Sequence, residues 1–190
     1  LCTAALDKVG TEVIEGITIR RFPYFYPYFP MPEKDRLALD KKGGNPFSPE
    51  LMKALQKGKF DIFHIHAGGR LANYTLRLAK KISVPALMSL HGGSCAIPQQ
   101  EMELMLKPLK HKFSYGGIVD RLCRMRKTPE SQADVLLALS REEVEKLKKR
   151  YPEKQVELFP NGILHRELPE AGVFRKKYNI PDDKKLLLCI

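Results

Sequence analysis

No run of about 18 apolar residues occurs in this sequence, so no segment reads as a membrane-spanning helix. The opening Leu-Cys-Thr-Ala-Ala-Leu-Asp lacks the basic-then-apolar layout of a secretory leader, and the expectation is a cytoplasmic protein. Cysteine is scarce and scattered. Cys2, Cys95, Cys123 and Cys189 contain no Cys-x-x-Cys spacing, which argues against a zinc ribbon or a disulfide framework. No internal repeat or low-complexity tract is present. Acidic side chains are in deficit: 22 Asp and Glu against 33 Lys and Arg leave a net charge of +11 and a pI near 9.5. Such a surface attracts anions. Nucleic acid is not the expected one, because no DNA- or RNA-binding signature occurs and the aromatic residues do not fall on a strand pattern suited to base stacking.

What the sequence does have is enough apolar content, 43% over 190 residues, to bury a core of ordinary domain size. Residues Glu12–Phe22 alternate β-branched and polar residues around Glu15-Gly16, which predicts a hairpin or a bent edge strand. Pro23 to Pro32 is rich in proline and aromatics and predicts an extended surface loop, since proline withholds ladder hydrogen bonds. A helix is predicted from Ser48-Pro49 to Gly58. From Phe60 onward strands alternate with helices, the pattern of βαβ units in a parallel sheet with helices on both faces. Leu71, Thr75, Leu78, Ala79 and Ile82 recur at helical spacing, and Ser140 with Glu143 forms a capping box ahead of a lysine-rich helix end.

Four segments fall in one order: Asp-Ile-Phe-His-Ile-His at 61–66, Ser-Leu-His-Gly-Gly at 89–93, Ala-Asp-Val-Leu-Leu-Ala-Leu-Ser at 133–140, and Val-Glu-Leu-Phe-Pro-Asn-Gly-Ile at 156–163. Each is a buried-strand signal that ends in polar or glycine residues, where an open α/β sheet presents its ligand site. In this order, and with helical spacers between them, they resemble the retaining, nucleotide-sugar-dependent GT-B glycosyltransferases of the family-4 type over nearly the whole chain. The resemblance implies a Rossmann-like parallel sheet with flanking helices, the N-terminal, acceptor-side half of a GT-B fold. On that reading residues 1–165 are the acceptor-side domain without its first strand, turn and helix. Residues 166–190 are a linker and the first strand, Leu186–Ile190, of a donor-binding domain.

Among the candidate site residues, His91 at the end of strand Val84–Leu90 matches the family histidine that lies beside the transferred sugar. A neutral imidazole there can hydrogen-bond a sugar hydroxyl or polarise the reacting region. Gly92 and Gly93 behind it let backbone approach a ligand; the competing reading is a core histidine with a tight turn. His64 and His66 share one face of their strand, but no second pair of ligands stands at metal-binding spacing, so no metal is expected. His64 reads as structural. His66, with Gly68 and Gly69 opening the next helix, is the family's acceptor-cleft position. Ser140 reads as a helix cap. Asn161-Gly162 reads as a turn, and its family counterpart touches the interdomain cleft. The family usually has an Asp two residues after that Gly, where this sequence has Leu164 and then His165.

Residues Lys107–Lys127 contain Lys107, Lys110, Lys112, Arg121, Arg124, Arg126 and Lys127 against the single acid Asp120. With Ile118, Val119, Leu122 and Cys123 as an apolar stripe, they predict a basic amphipathic helix, either a solvated face or a dock for an anionic membrane or a lipid-pyrophosphate acceptor. The aromatic strap is either packing or a sugar-stacking or interfacial surface. The resemblance implies transfer of a hexose from a UDP- or GDP-sugar to a hydroxyl of a glycan or lipid-linked acceptor, at the inner face of a membrane. It needs no cofactor or metal, and the chain alone is expected to be inactive. Two other readings stay open: a non-catalytic anion- or membrane-binding module, and another GT-B enzyme such as a nucleotide-sugar epimerase, which needs cleft carboxylates that do not stand out here.

Overall fold

The computed structural model describes residues 1–5, 8–41, 44–66, 68–91, 99–125, 128–162 and 172–187, with the side chains at 99, 101, 102 and 105 excepted. It divides into two compact units, Leu1–Pro160 and Asn161–Ile190. At the centre of the first is a parallel sheet of β5 (Phe63–His66), β6 (Ala86–Leu90), β8 (Val135–Ala138) and β9 (Gln155–Leu158), in the order β5-β6-β8-β9. In the outer strand β5 burial alternates, with Phe63 and Ile65 buried and His64 and His66 exposed, whereas β6 and β8 are almost continuously buried. That difference arises from position, because an inner parallel strand is covered on both faces. Met88, Leu136, Ala138 and Leu147 are fully enclosed and form the core with Leu76 and Ala79 of helix α3 (Arg70–Ile82).

Local rules account for the helices. In α2 (Pro49–Lys57) the Ser48 hydroxyl accepts from the Leu51 amide at 3.2 Å and donates to the Pro23 carbonyl at 2.6 Å, with Pro49 in the first turn. In α6 (Arg141–Arg150) the Ser140 hydroxyl accepts from the Glu143 amide at 3.2 Å. The Glu143 carboxylate accepts from the Leu139 amide at 2.9 Å, so the capping exchange reaches back to the residue before the cap. Ser140 is thus a helix cap.

The predicted hairpin is present as β2 (Gly10–Ile14) and β3 (Ile17–Phe22), turned at Glu15 (φ 51°) and Gly16 (φ 81°). Positive φ at both residues is the turn that matches strand twist. β3 also pairs in parallel with β1 (Cys2–Ala4), forming a sheet of its own, β1-β3-β2.

Two expectations need correction. The strap from Pro23 to Pro32 is only partly a surface loop: Phe29 and Pro30 are exposed, but Tyr26 and Pro27 are buried, and the Tyr26 hydroxyl donates to Asp40 at 2.8 Å. Phe25 exchanges backbone hydrogen bonds with Phe47, and β4 (Tyr28–Phe29) pairs antiparallel with β7 (Phe113–Ser114). The prolines lack donors, but the residues between them keep theirs and find partners. The basic segment is likewise not one helix. Lys107–Leu109 is a 3-10 turn, β7 comes next, and among the described residues of the segment only Gly116–Leu122 (α5) is α-helical. Pro108, the left-handed His111 (φ 68°) and the Gly116-Gly117 pair interrupt it. Helices α1 (Glu33–Lys41) and α4 (Gln99–Leu106) complete the first unit.

The second unit contains α7 (Val173–Lys177), where Arg175 donates to the carbonyls of Pro181 and Lys184 at 2.6 and 2.8 Å. Of the expected strand Leu186–Ile190, Leu186 and Leu187 form no strand, and Leu187 is 97% exposed. Extended backbone becomes a strand only beside a partner, and none stands there among the described residues. Leu188 to Ile190 lie outside them. No helix among the described residues is long and apolar enough to cross a membrane.

Candidate active site

The parallel register sets β5 and β6 side by side with His66 opposite Ser89, so both strands run out at one end of the sheet. The His64 ring nitrogen Nε2 shares a hydrogen bond with the Ser89 hydroxyl at 2.7 Å. That contact holds His64 to the sheet and fits its structural reading. His66 Nδ1 and His91 Nε2 share a hydrogen bond at 3.0 Å, with their rings stacked at 5.2 Å and inclined by 15°. The His64 and His66 rings lie 4.3 Å apart. Two sequence candidates, His66 and His91, are thus brought into direct contact.

Such a pair has a restricted protonation state. A neutral imidazole has one donor and one acceptor nitrogen, and a doubly protonated pair has no acceptor for the shared bond. Burial lowers the His66 pKa, and the neighbouring His64 and His91 lower it further. His66 is therefore neutral at pH 7. The pair can accept from or donate to a sugar hydroxyl and can relay a proton across its own hydrogen bond. Among the described residues no group of three His, Cys, Asp or Glu side chains is placed to hold a metal ion. Gly92 and Gly93, which come after His91, lie outside the described residues, as do Arg126, Lys127, Leu164 and His165.

Beyond His66 the chain turns into α3 through Gly68 and Gly69. Gly69 has φ 93°, and a Cβ there would stand 2.7 Å from the Asn45 side-chain oxygen, so glycine is required. The same oxygen accepts from the Arg70 amide at 2.7 Å and anchors the start of α3. The Arg70 side chain is buried and paired with Asp120 at 2.7 and 3.3 Å, and it donates to the Asn45 carbonyl at 2.7 Å. Sequence reasoning missed Asn45 and the Arg70–Asp120 pair. The one available signal was Asp120 itself, the only acid in a strongly basic stretch.

These groups border a cavity of about 720 Å³, whose walls include Asn45, Gly69, Asn73, Arg121 and Arg124. A second concavity, of about 730 Å³, lies at the other end of the sheet beside Pro85, Asp134 and Lys154. Asp134 there accepts from the Ala86 amide at 2.8 Å and closes the sheet. Ligands of open α/β sheets collect at the carboxyl ends of the strands, which favours the histidine end.

The other sequence candidates are dispersed. Lys112 is paired with Asp35 at 2.6 Å and donates to the Pro30 carbonyl, so it holds α1 and the strap in place. Lys107 and Lys110 belong to the 3-10 turn and its edge. Asn161 and Gly162 are exposed residues of the second unit, and a Cβ at Gly162 would meet only open space.

The pattern of Glycosyltransferase Family 4 matches residues 8–166, most of the chain and all of the histidine site. No curated protein matches the chain. The chain belongs to glycosyltransferase family 4, and its parallel α/β sheet with flanking helices is the Rossmann-like N-terminal half of that fold.

Proposed function

We propose that this chain is the acceptor-side half of a retaining hexosyltransferase that moves a sugar from UDP or GDP to an acceptor hydroxyl, with no required metal. The observation that carries the reading is the hydrogen-bonded His66–His91 pair at the carboxyl end of the sheet, in a chain of a glycosyl-transferring family. Retaining transfer needs the acceptor oxygen held against the anomeric carbon on the face the nucleotide leaves, and that is mainly positioning and electrostatic work. His91 contacts the transferred sugar and His66 fixes its ring. The groups that neutralise the leaving diphosphate belong to a donor-binding half, with Asn161-Gly162 near the crossover to it.

The acceptor is a lipid-linked or surface-glycan precursor, worked on at the inner face of a membrane. Supporting this, Phe29 and Phe113 lie directly opposite each other on the β4–β7 ribbon at 70% and 69% exposure, next in sequence to the basic 3-10 turn. Aromatic side chains with adjacent cations suit a lipid–water boundary.

The test compares this chain alone with the protein that joins it to a donor-binding half, each incubated with UDP- and GDP-hexoses and an acceptor. Acceptor-dependent nucleotide release is expected only from the joined protein. Rapid release by the chain alone would overturn the two-sided cleft.

A further inference from the structure

The turn that ends α5 contains an oddity. The Met125 amide donates to the Asp120 carbonyl at 2.8 Å and the Arg124 amide to the Arg121 carbonyl at 3.0 Å, which together close the helix in a Schellman motif. The left-handed position of that motif normally takes glycine; here it is Arg124, at φ 48°. A side chain in this region is strained, so the residue is not the choice that backbone stability alone would make. The carbonyl end of α5 favours a cation at Arg121 and at Arg124, a modest gain at an exposed helix end that does not by itself outweigh a left-handed side chain.

Both arginines are exposed and line the 720 Å³ cavity beside Asn45, Gly69 and Asn73. Asp120, the acid on that wall, is committed to the buried Arg70. Neither Arg121 nor Arg124 has a carboxylate partner among the described residues, so the cavity keeps two uncompensated positive charges. The start of α3, a helix of 13 residues, adds the positive end of its dipole to the same lining. Gly69 is three residues past His66, so the start of α3 lies within about 11 Å of His66 along the backbone. Gly117, another lining residue, is exposed, and a Cβ there would meet nothing within 4 Å.

We infer that this cavity seats a phosphate or diphosphate group of the acceptor, gripped by Arg121 and Arg124, while the acceptor's hydroxyl reaches the histidine pair. The inference rests on the proposed glycosyl transfer and narrows its acceptor to a phosphorylated compound. Two guanidiniums suit this ligand because each presents a planar fork of donors to phosphate oxygens. Asn45 and Asn73 border the space where the remainder of the acceptor would lie.

Binding is read first, without any turnover, by calorimetric titration of inorganic pyrophosphate into the wild type, Arg121→Ala and Arg124→Gly. Each substitution is expected to weaken binding about tenfold, the loss of one charge-assisted contact. Arg124→Gly should at the same time keep or raise the melting temperature, which separates a ligand role from a structural one. Equal affinity in wild type and both variants, or no binding at millimolar pyrophosphate, overturns the site whether or not the protein transfers sugar. Vesicles then identify the source of the phosphate. Displacement of pyrophosphate by phosphatidic acid vesicles and not by phosphatidylcholine assigns a lipid-borne group, and no displacement by either assigns a water-soluble one. In the joined enzyme both variants should raise KM for a phosphorylated acceptor about tenfold, with KM for the nucleotide sugar unchanged. An unchanged acceptor KM would contradict the inference even with transfer intact.

Discussion

Replacing His91 by alanine in a protein that joins this chain to a donor-binding half, as proposed, should lower kcat by about 10²-fold or more while donor binding stays close to that of the wild type. That is the usual cost of removing one well-placed polar group from a reacting centre. The expectation comes from geometry: His91 stands at the mouth of the sheet and is held there by a 3.0 Å hydrogen bond from or to His66. The same substitution should be visible on His66. Its pKa is lowered by burial first and then by His64 and His91, so in His91→Ala the His66 ring should titrate nearer the ordinary imidazole value, with burial still keeping it below. In the wild type the sign is that of a depressed base. Neutral His66 is fully present above the ordinary histidine pKa of about 6.5 and is lost as pH falls through its own lower value, where its Nδ1 can only donate. Activity should fall along that acidic limb, as tracked by kcat against pH with ring titration by NMR. A folded His91→Ala enzyme that transfers sugar at the wild-type rate would remove His91 from the site.

The largest effect on the fold is expected from Leu136→Ala. Leu136 has no exposed surface and lies on β8, an inner strand paired with both β6 and β9. Truncation there removes buried methyl groups and leaves a cavity that two flanking strands cannot close, at a cost of about 2–5 kcal/mol. Leu122→Ala is the matched control: Leu122 is 79% exposed, and its truncation should stay within about 0.5 kcal/mol. Urea unfolding measures both, as a shift of midpoint at constant slope. A loss below about 1 kcal/mol for Leu136→Ala would mean that the sheet is not the core.

Much of this architecture is readable from neighbouring residues. The inner strands at 86–90 and 135–138 appear as short apolar runs and the outer ones at 63–66 and 155–158 as apolar–polar alternation, and the caps Ser48 and Ser140 are marked by Pro49 and Glu143 just downstream of them. The parts that were not legible depend on partners distant in sequence. Proline between the strap's aromatic residues suggested a loop, and only β7 and Phe47, which local pattern does not reveal, turn Tyr28–Phe29 and Phe25 into paired backbone. The basic stretch has helical composition, but Pro108 and Gly116-Gly117 divide it. The Arg70–Asp120 pair spans 50 residues. His66 and His91 were each legible as ends of buried strands. Their contact required knowing that those strands are neighbours.

The most direct test of the central claim is the anomeric configuration of the product. The joined enzyme is incubated with a UDP- or GDP-hexose and a hydroxyl acceptor, and the coupling of the product's anomeric proton is compared with that of the donor by NMR. The account predicts a new glycoside with the donor's configuration, formed at the His66–His91 end of the sheet and strongly reduced in His91→Ala. An inverted product, or nucleotide released with no sugar reaching the acceptor, would contradict it.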